Sequence, residues 1–490
     1  MLNYALALLS AFLLILVFPG FGLSWLAPVA LTPLLLAAAR EPFAWRRFLL
    51  GEAAGIVYWF GVCYWIQFVL SYHGGMGDWA GWGAFLLFCI LKALHLALFT
   101  FLAGWLMEKP YAIPAVAALW AGIERTHGTF GFAWMALGNA GIDMGLPLRL
   151  APWVGVYGVS FLFMMLAAAL AVTMRQRRRE LLWLAVLPLL LLLPELPAAR
   201  QAEESLVSVQ PNIAMDEVWT QQSIDRHRDE LAYLSIEQAL KPGEKPPLLL
   251  VWPEAPAPFY YESDPRFKKA AESLARATKT HFWFGTVAYR DRDGAPLNSA
   301  QLLGPDGEPV ARYDKNYLVP FGEFVPPLFG WVNKISKETG DFARGEEIVV
   351  ADIDGHKVSA IICYEAVFPH LVRQFPGRGA ELLVNFTNDG YFGASAARLQ
   401  HLLIARMRAV ENNRWLVRST NNGITVTIDP AGRIRQALEP DVRTAARLRF
   451  NYERETTFYT RHGDWFAWRC LVAGLLAVGL SMLPVYRPER

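Results

Sequence analysis

Long apolar runs fill the first 199 positions of the chain, and one more run returns near its C-terminus. Most of them approach the ~20 residues that an α-helix needs to cross the hydrocarbon core of a membrane. The runs lie near 3–18, 23–39, 50–71, 80–107, 111–125, 151–173, 181–198 and 466–483. This pattern predicts a multi-span α-helical membrane bundle of about eight helices, seven before residue 200 and one after residue 465.

Between residues 200 and 465 the pattern changes to short β-rich runs separated by amphipathic stretches. Candidate strands are Leu206–Gln210, Leu248–Trp252, His281–Val287, Ser299–Leu303, Val358–Cys363, Leu382–Asn385 and Thr425–Ile428. Candidate helices are Ser223–Leu240, Pro265–Thr278 and Ala396–Asn413. Strands that alternate with helices predict an α/β domain with a largely buried sheet. The predicted organisation is a membrane bundle at 1–199, a water-soluble domain at 200–465, and a final span with a short tail at 466–490.

The distribution of charged residues agrees with this division. Only 19 of the first 199 residues are Asp, Glu, Lys or Arg, whereas the other 291 residues include 71. With 54% hydrophobic residues, the chain is too apolar to be intrinsically disordered. Its net charge of +2 gives no general attraction for nucleic acid, so we expect no nucleic-acid partner.

The basic residues of the short loops predict an orientation, because Lys and Arg accumulate on the cytoplasmic side of membrane proteins. Basic residues follow the second, fourth and sixth runs, whereas the loop Ser71–Asp78 after the third run has none. The basic residues are Arg40, Arg46, Arg47, Lys109, Arg175, Arg177, Arg178 and Arg179. The domain at 200–465 is therefore predicted to lie outside the cytoplasm, and the basic tail at 487–490 inside it.

Within the fourth run, Lys92 and His95 are ionisable residues at membrane depth, which makes them candidates for a functional site. The alternative is that Lys92 extends its stem to the interface or faces a wet groove between helices. Gly51 and Gly55 form a GxxxG pattern that predicts a close approach of two helices.

Three predicted strands of the soluble domain end in reactive side chains. Glu254 follows the strand that ends at Trp252, Lys315 follows a turn-and-strand unit, and Cys363 ends a third strand. Functional groups in α/β domains favour such strand ends. Taken singly, each has a simpler explanation, because a cysteine that ends an apolar strand is usually core and a carboxylate or amine there is usually solvated.

Taken together, the three residues follow a known order. The segments 252–254 (WPE), 314–323 (DKNYLVPFGE) and 362–365 (ICYE) resemble the motifs of the carbon–nitrogen hydrolase (nitrilase) superfamily. This resemblance covers residues 205–450 and implies an extracytoplasmic nitrilase-like αββα sandwich. With seven spans before it and one after it, the whole chain resembles the bacterial apolipoprotein N-acyltransferase family.

The chemistry of the three residue types is consistent with covalent catalysis. A thiol at its ordinary pKa is mostly protonated at neutral pH, so a nucleophilic Cys363 needs a base, and Glu254 is the candidate. Lys315 is the candidate donor to the oxyanion that forms on the attacked carbonyl, assisted by a backbone N–H near Tyr364. Glu323 is a second carboxylate that would orient Lys315.

The resemblance also implies substrates and location. The acyl donor would be a membrane phospholipid, Cys363 would become a thioester, and the acceptor would be the α-amine of a diacylglyceryl-cysteine apolipoprotein. Trp219 and Tyr364 match positions that the family associates with substrate handling. For Trp219, a structural role under a loop is an almost equal alternative. Glu365 is a supporting residue. The segments Tyr317–Trp331 and Asp389–Ala394 are candidate lids or ordinary connections. We expect a monomeric enzyme of the bacterial inner membrane.

No cofactor and no metal are expected, because the sequence has no HExxH, CxxC, phosphate-loop or dinucleotide pattern. Two other functions are alternatives to acyl transfer. A membrane-anchored amidase or nitrilase would pass the acyl group to water, and only the second nucleophile separates it from a transferase. A transporter with a soluble accessory domain would require duplicated halves, and the first seven runs show no such duplication.

Overall fold

The computed structural model describes residues 1–320, 322–324 and 342–483. These divide into two compact units. The first consists of Met1–Phe68, Asp78–Leu196 and the chain from His462 onward, and the second of Val69–Gly77 and Pro197–Arg461. The predicted basic tail at 487–490, and positions 321 and 325–331 of the candidate lid, lie outside the described residues. The sequence-based boundaries at 199 and 465 stay a prediction.

The first unit is helical. Its α-helices are α1 (Leu2–Val17), α2 (Thr32–Arg40), α3 (Ala44–Val62), α4 (Trp65–Phe68), α5 (Asp78–Leu106), α6 (Ala112–Thr129), α7 (Gly145–Leu148), α8 (Ala151–Met174) and a last helix over Trp465–Met482. Segments of 3-10 helix cover Ser24–Leu26, Leu137–Asp143 and Arg178–Leu192.

Several of these helices are long and apolar enough to cross a membrane. Within the described chain they are α5, α8 and the last helix, or four spans if α3 is counted with the bent segment Trp65–His73. The predicted second run forms only the nine-residue α2, and the predicted seventh run is a 3-10 helix that includes Pro188. Proline has no backbone N–H and clashes with the preceding turn, so apolar composition alone overestimates α-helix there. The count of eight spans stays a prediction.

Two sequence features of the bundle can be located. A Cβ at Gly51 would lie 2.5 Å from Leu96 O, and one at Gly55 would lie 2.7 Å from Ala93 Cα, so the predicted close approach of α3 and α5 is confirmed. Lys92 is buried, and its Nζ lies 2.5 Å from His127 Nδ1. Its Nζ also donates to the carbonyl of Phe132, so the ammonium ends among polar partners, and its depth in a membrane stays a prediction.

The second unit is an α/β domain. Its strands are β1 (Glu204–Gln210), β2 (Leu249–Trp252), β3 (His281–Tyr289), β4 (Pro296–Leu303), β5 (Pro309–Asp314), β6 (Ala351–Ile353), β7 (His356–Ile362), β8 (Leu382–Thr387), β9 (Trp415–Thr420), β10 (Val426–Ile428), β11 (Ile434–Ala437) and β12 (Thr444–Phe450). Its helices are α9 (Gln221–Ala239), α10 (Pro265–Thr278), α11 (Pro369–Val372), α12 (Gln374–Gly377), α13 (Ala397–Asn412) and α14 (Phe458–His462), which crosses the unit boundary.

The strands form two mixed sheets of six strands each. The first has the order β12-β1-β2-β3-β4-β5 and the second β11-β10-β9-β8-β7-β6. In each sheet three neighbouring strands are parallel, β1-β2-β3 in the first and β7-β8-β9 in the second, and the outer strands are antiparallel. The carboxyl ends of the parallel strands β2 and β7 lead to Glu254 and Cys363, and the end of the outer strand β5 leads to Lys315.

Alternation along the strands shows how the layers pack. Val207 and Val209 of β1 belong to a core cluster that includes side chains of α9 and α10, whereas Ser208 between them bonds Ser419 of β9 at 2.8 Å. The rings of Trp283 on β3 and Phe386 on β8 lie 5.6 Å apart. Successive strand residues point to opposite faces, so one face of the first sheet packs on helices and the other on the second sheet. The predicted nitrilase-like arrangement of two sheets is confirmed.

Candidate active site

Glu254 lies just past the end of β2, and only 7% of the residue is exposed. Its Oε1 accepts hydrogen bonds from Lys315 Nζ at 3.0 Å and from Asn298 Nδ2 at 2.9 Å. Its Oε2 accepts from the backbone N–H of Asn388 at 3.0 Å. Donors from both sheets therefore fix the carboxylate in one orientation.

Strand β3 passes directly beneath the Glu254 turn because residue 285 is glycine. A Cβ at Gly285 would lie 2.4 Å from Ala255 N and 2.7 Å from Glu254 Cα, distances that no side chain can accept. Ala255 itself has a φ of 23°, which few residues with a Cβ adopt. The turn that presents Glu254 thus depends on a missing side chain in the neighbouring strand.

Lys315 follows β5 and is the most deeply buried of the three predicted reactive residues, at 1% exposure. Its Nζ donates to Glu254 Oε1 at 3.0 Å and to Glu323 Oε1 at 2.9 Å. Burial alone would lower the pKa of Lys315, but the carboxylates of Glu254 and Glu323 raise it well above its usual range. The side chain is therefore a permanent ammonium.

Glu323 completes this cluster. Its Oε1 also accepts from Asn298 Nδ2 at 2.6 Å, and its Oε2 accepts from the backbone N–H of Val319 at 2.8 Å. Glu323 is therefore placed where it orients Lys315. Asn298 donates to both Glu254 and Glu323, and so it holds both carboxylates at one ammonium.

Cys363 begins a 3-10 turn immediately after β7 and has a φ of 49°. Burial raises the pKa of the thiol, the Glu254 carboxylate raises it further, and the Lys315 ammonium opposes both. Glu254 and Lys315 are therefore close enough to Cys363 to act on its thiol electrostatically. The thiol is protonated at neutral pH and requires a base before it can attack.

Glu365, two residues beyond Cys363, is fully buried and links the loops that bear Cys363 and Lys315. Its Oε2 accepts from the Ile362 N–H at 2.8 Å, and its Oε1 accepts from the Asn316 N–H at 2.6 Å and the Tyr313 hydroxyl at 2.7 Å. Burial raises the pKa of Glu365 to about 7, although these donors oppose the shift. Its neighbour on the same turn, the predicted substrate residue Tyr364, is also buried.

The remaining predicted positions differ in their surroundings. Trp219 is 37% exposed and packs edge-on against the ring of His227 at 5.8 Å, which places it at the start of α9. Asp389, the first residue of the second candidate lid, is buried and bonded to Arg418 at 2.8 Å. The start of that segment is therefore anchored. In the first candidate lid, the Tyr317 hydroxyl lies 2.8 Å from His370 Nε2.

Sequence reasoning missed several polar residues around the cluster. Asn298 lies on a strand whose predicted start was three residues too late, and Asn388 contributes through its backbone, which no side-chain pattern reveals. His401 on α13 donates from Nε2 to the carbonyl oxygen of Cys363 at 3.1 Å. Gln400, Arg408 and Glu411 of the same helix are buried as well, so no signal in the sequence distinguished His401.

Comparisons with known proteins agree with both units. The model of the apolipoprotein N-acyltransferase N-terminal domain matches residues 10–169, and the carbon-nitrogen hydrolase model matches residues 208–446. An apolipoprotein N-acyltransferase from Geobacter metallireducens is 34% identical over 98% of this chain and 95% of its own length. The chain belongs to the apolipoprotein N-acyltransferase family. The chain is therefore an acyltransferase of the carbon–nitrogen hydrolase superfamily, as its motifs predicted.

Other relatives have the same name. The apolipoprotein N-acyltransferases of Nitrosomonas europaea and Pseudomonas putida are 32% and 31% identical, each over 94% of both chains. Among solved structures, an amidase from Nesterenkonia sp. is similar with a TM-score of 0.38 and 19% identity, over 54% of this chain and 96% of the amidase.

Proposed function

We propose that the protein transfers a fatty acyl chain from a membrane phospholipid to the α-amine of an N-terminal diacylglyceryl-cysteine on an apolipoprotein. Cys363 is the nucleophile, Glu254 the general base and Lys315 the oxyanion donor. The observation that carries this proposal is the buried Lys315 ammonium, which bonds Glu254 at 3.0 Å and opposes the rise in the pKa of the buried Cys363 thiol.

In the first half-reaction, Glu254 accepts the Cys363 proton as the sulfur attacks the ester carbonyl of the donor. Lys315 stabilises the resulting oxyanion, because its charge is already fixed by two carboxylates. The intermediate collapses when the C–O bond breaks, and the leaving alcohol takes the proton back from Glu254. The products are a Cys363 thioester and a lysophospholipid.

In the second half-reaction, the acceptor amine attacks the thioester. Glu254 accepts a proton from the attacking nitrogen and returns it to the departing sulfur, so the cysteine is regenerated as a thiol. Water in place of the amine would give a hydrolase from the same residues. The apolipoprotein N-acyltransferase name of the relatives supports the amine as the acceptor.

The proposed location is the bacterial inner membrane, with eight spans in a monomer and the catalytic domain at 200–465 outside the cytoplasm. The loop after the third predicted span supports this orientation, because the loop and the catalytic domain are both predicted to lie outside the cytoplasm. Its residues Val69–Gly77 belong to the same compact unit as the catalytic residues, with the ring of His73 5.2 Å from that of Tyr391.

The test is the mass of the Cys363 peptide after the purified enzyme is incubated with phospholipid alone. We expect one fatty-acyl addition that neutral hydroxylamine removes and that a diacylglyceryl-cysteine peptide discharges. Cys363→Ala should lack it, and Cys89→Ala, a buried cysteine in α5, should keep it. An adduct that water discharges equally fast without peptide would indicate a hydrolase. Activity that survives in Cys363→Ala would overturn the mechanism.

A further inference from the structure

The turn that bears Cys363 is held in an unfavourable conformation. A φ of 49° lies in the left-handed region, which residues with a Cβ rarely adopt outside functional sites. Such a conformation persists only when surrounding contacts determine it. Two contacts flank this turn: Glu365 accepts from the Ile362 N–H, and His401 donates to the Cys363 carbonyl at 3.1 Å.

The contacts of His401 determine its tautomer. A carbonyl oxygen only accepts hydrogen bonds, so the proton must be on Nε2. On the other side of the ring, Nδ1 lies 3.0 Å from Arg418 Nη2 and 3.2 Å from Asp389 Oδ1. Burial and the Arg418 charge lower the pKa of His401, so the ring is neutral and Nδ1 accepts from the guanidinium.

Arg418 is itself fixed by a buried set of partners. Its Nη2 bonds both oxygens of Asp389 at 2.8 Å, and its Nη1 bonds Asn385 Oδ1 at 2.6 Å. Although burial opposes ionisation, the Arg418 guanidinium lowers the pKa of Asp389 to about 2, so the carboxylate stays ionised. Arg418, Asp389 and His401 are all fully buried.

The same group of residues also extends toward the base. Asp389 directly follows Asn388, whose backbone N–H bonds Glu254. Asn385 donates to the carbonyl of Ile361, two residues before Cys363. One buried ion pair therefore supports the strand that leads to the nucleophile and the loop that contacts the base.

We propose that His401 is a positioning residue for Cys363: Arg418 fixes the neutral tautomer protonated on Nε2, and this N–H holds the Cys363 carbonyl, and thereby the thiol, in its reactive conformation. The inference rests on the proposed role of Cys363 and deepens it. His401 does not act as the base, because its Nε2 proton is used on the backbone and its Nδ1 faces Arg418.

The test compares His401→Gln, whose side-chain amide can place an N–H near the original Nε2, with His401→Leu, which cannot donate. Two rates are measured on the full-length enzyme. One is acylation of Cys363 by saturating phospholipid, and the other is alkylation of Cys363 by iodoacetamide, which requires no acyl donor. His281→Leu, a buried histidine at the start of β3, is the matched control.

We expect His401→Leu to lose at least tenfold in both rates with little change in the donor KM, and His401→Gln to stay within about threefold of wild type. Wild-type rates in His401→Leu, once its folded fraction is measured, would overturn the proposal. Equal loss in both variants, with a changed pH profile, would make His401 a proton carrier and also refute it. If wild type forms no thioester but the alkylation pattern holds, the positioning role stands and the acyl-transfer proposal fails.

Discussion

Replacing Lys315 with methionine removes a buried ammonium while keeping a side chain of similar length. The first effect is the loss of an oxyanion donor, which costs about 3 kcal/mol or more, a hundred- to thousandfold in rate. The second effect is on the carboxylates. Glu254 and Glu323 both contact the same nitrogen, so the contacting oxygens are no more than about 6 Å apart.

Without the ammonium, two carboxylates at that separation repel each other by about 3 kcal/mol at an effective dielectric constant of 20. A repulsion of this size favours a separation of the two side chains. Glu254 then leaves the position that the donors Asn298 and Asn388 define, and it is less able to take the Cys363 proton. The two effects together predict that acylation of Cys363 in Lys315→Met falls by at least about a thousandfold.

The assay is a single-turnover measurement of the hydroxylamine-sensitive adduct on Cys363 between pH 6 and pH 8.5. The residual rate of Lys315→Met should stay far below that of wild type across this range, because no pH within it restores the missing ammonium. Lys245→Met is the matched control, because Lys245 forms an exposed ion pair with Glu204 and such pairs contribute little. Acylation within tenfold of wild type would remove Lys315 from the mechanism.

Two further predictions concern stability and topology. Folding raises the pKa of Glu365 from 4.5 to about 7, so the folded state favours the protonated carboxyl and stability falls, by up to about 3 kcal/mol, as pH rises through that range. Glu365→Gln should flatten this dependence in thermal unfolding, and an unchanged slope would contradict the assignment. For topology, an impermeant thiol reagent should label Asp291→Cys from outside the cell and Gln176→Cys only after lysis; labelling of both from one side would refute the orientation.

Periodicity in the sequence was enough to predict much of the catalytic fold. The limits of α10 were predicted without error, because Asp264 caps its first turn and Pro265 begins the helix. Each predicted strand overlaps an observed one. Strand β5 was predicted only as the strand before Lys315, without bounds. Strands β6, β9, β11 and β12 were missed, and β9 shows why: it buries Arg418, and charged side chains are not expected in a fully buried strand.

The residues of the candidate site also fall into two groups, those that the sequence indicates and those that it does not. Glu254, Lys315 and Cys363 could be proposed from the sequence because the motif keeps reactive residues next to recognisable strand ends. Asn298 and His401 could not, because their partners are 44 and 38 residues away along the chain. Asn298 reaches Glu254 through the pairing of strands within the first sheet, and His401 reaches Cys363 through the packing of α13 on the turn after β7. A hydrogen bond between distant positions has no local pattern in a sequence.

The pairing of β1 with β12 bears on how the protein is made. Residues 204–210 pair with residues 444–450, so one edge of the first sheet stays open until nearly the whole domain has left the ribosome. An unpaired strand edge can pair with other chains and aggregate, and an incompletely folded domain is open to proteases. A product that stops before residue 444 should therefore be degraded, and the cell would not accumulate unfinished enzyme with an accessible nucleophile.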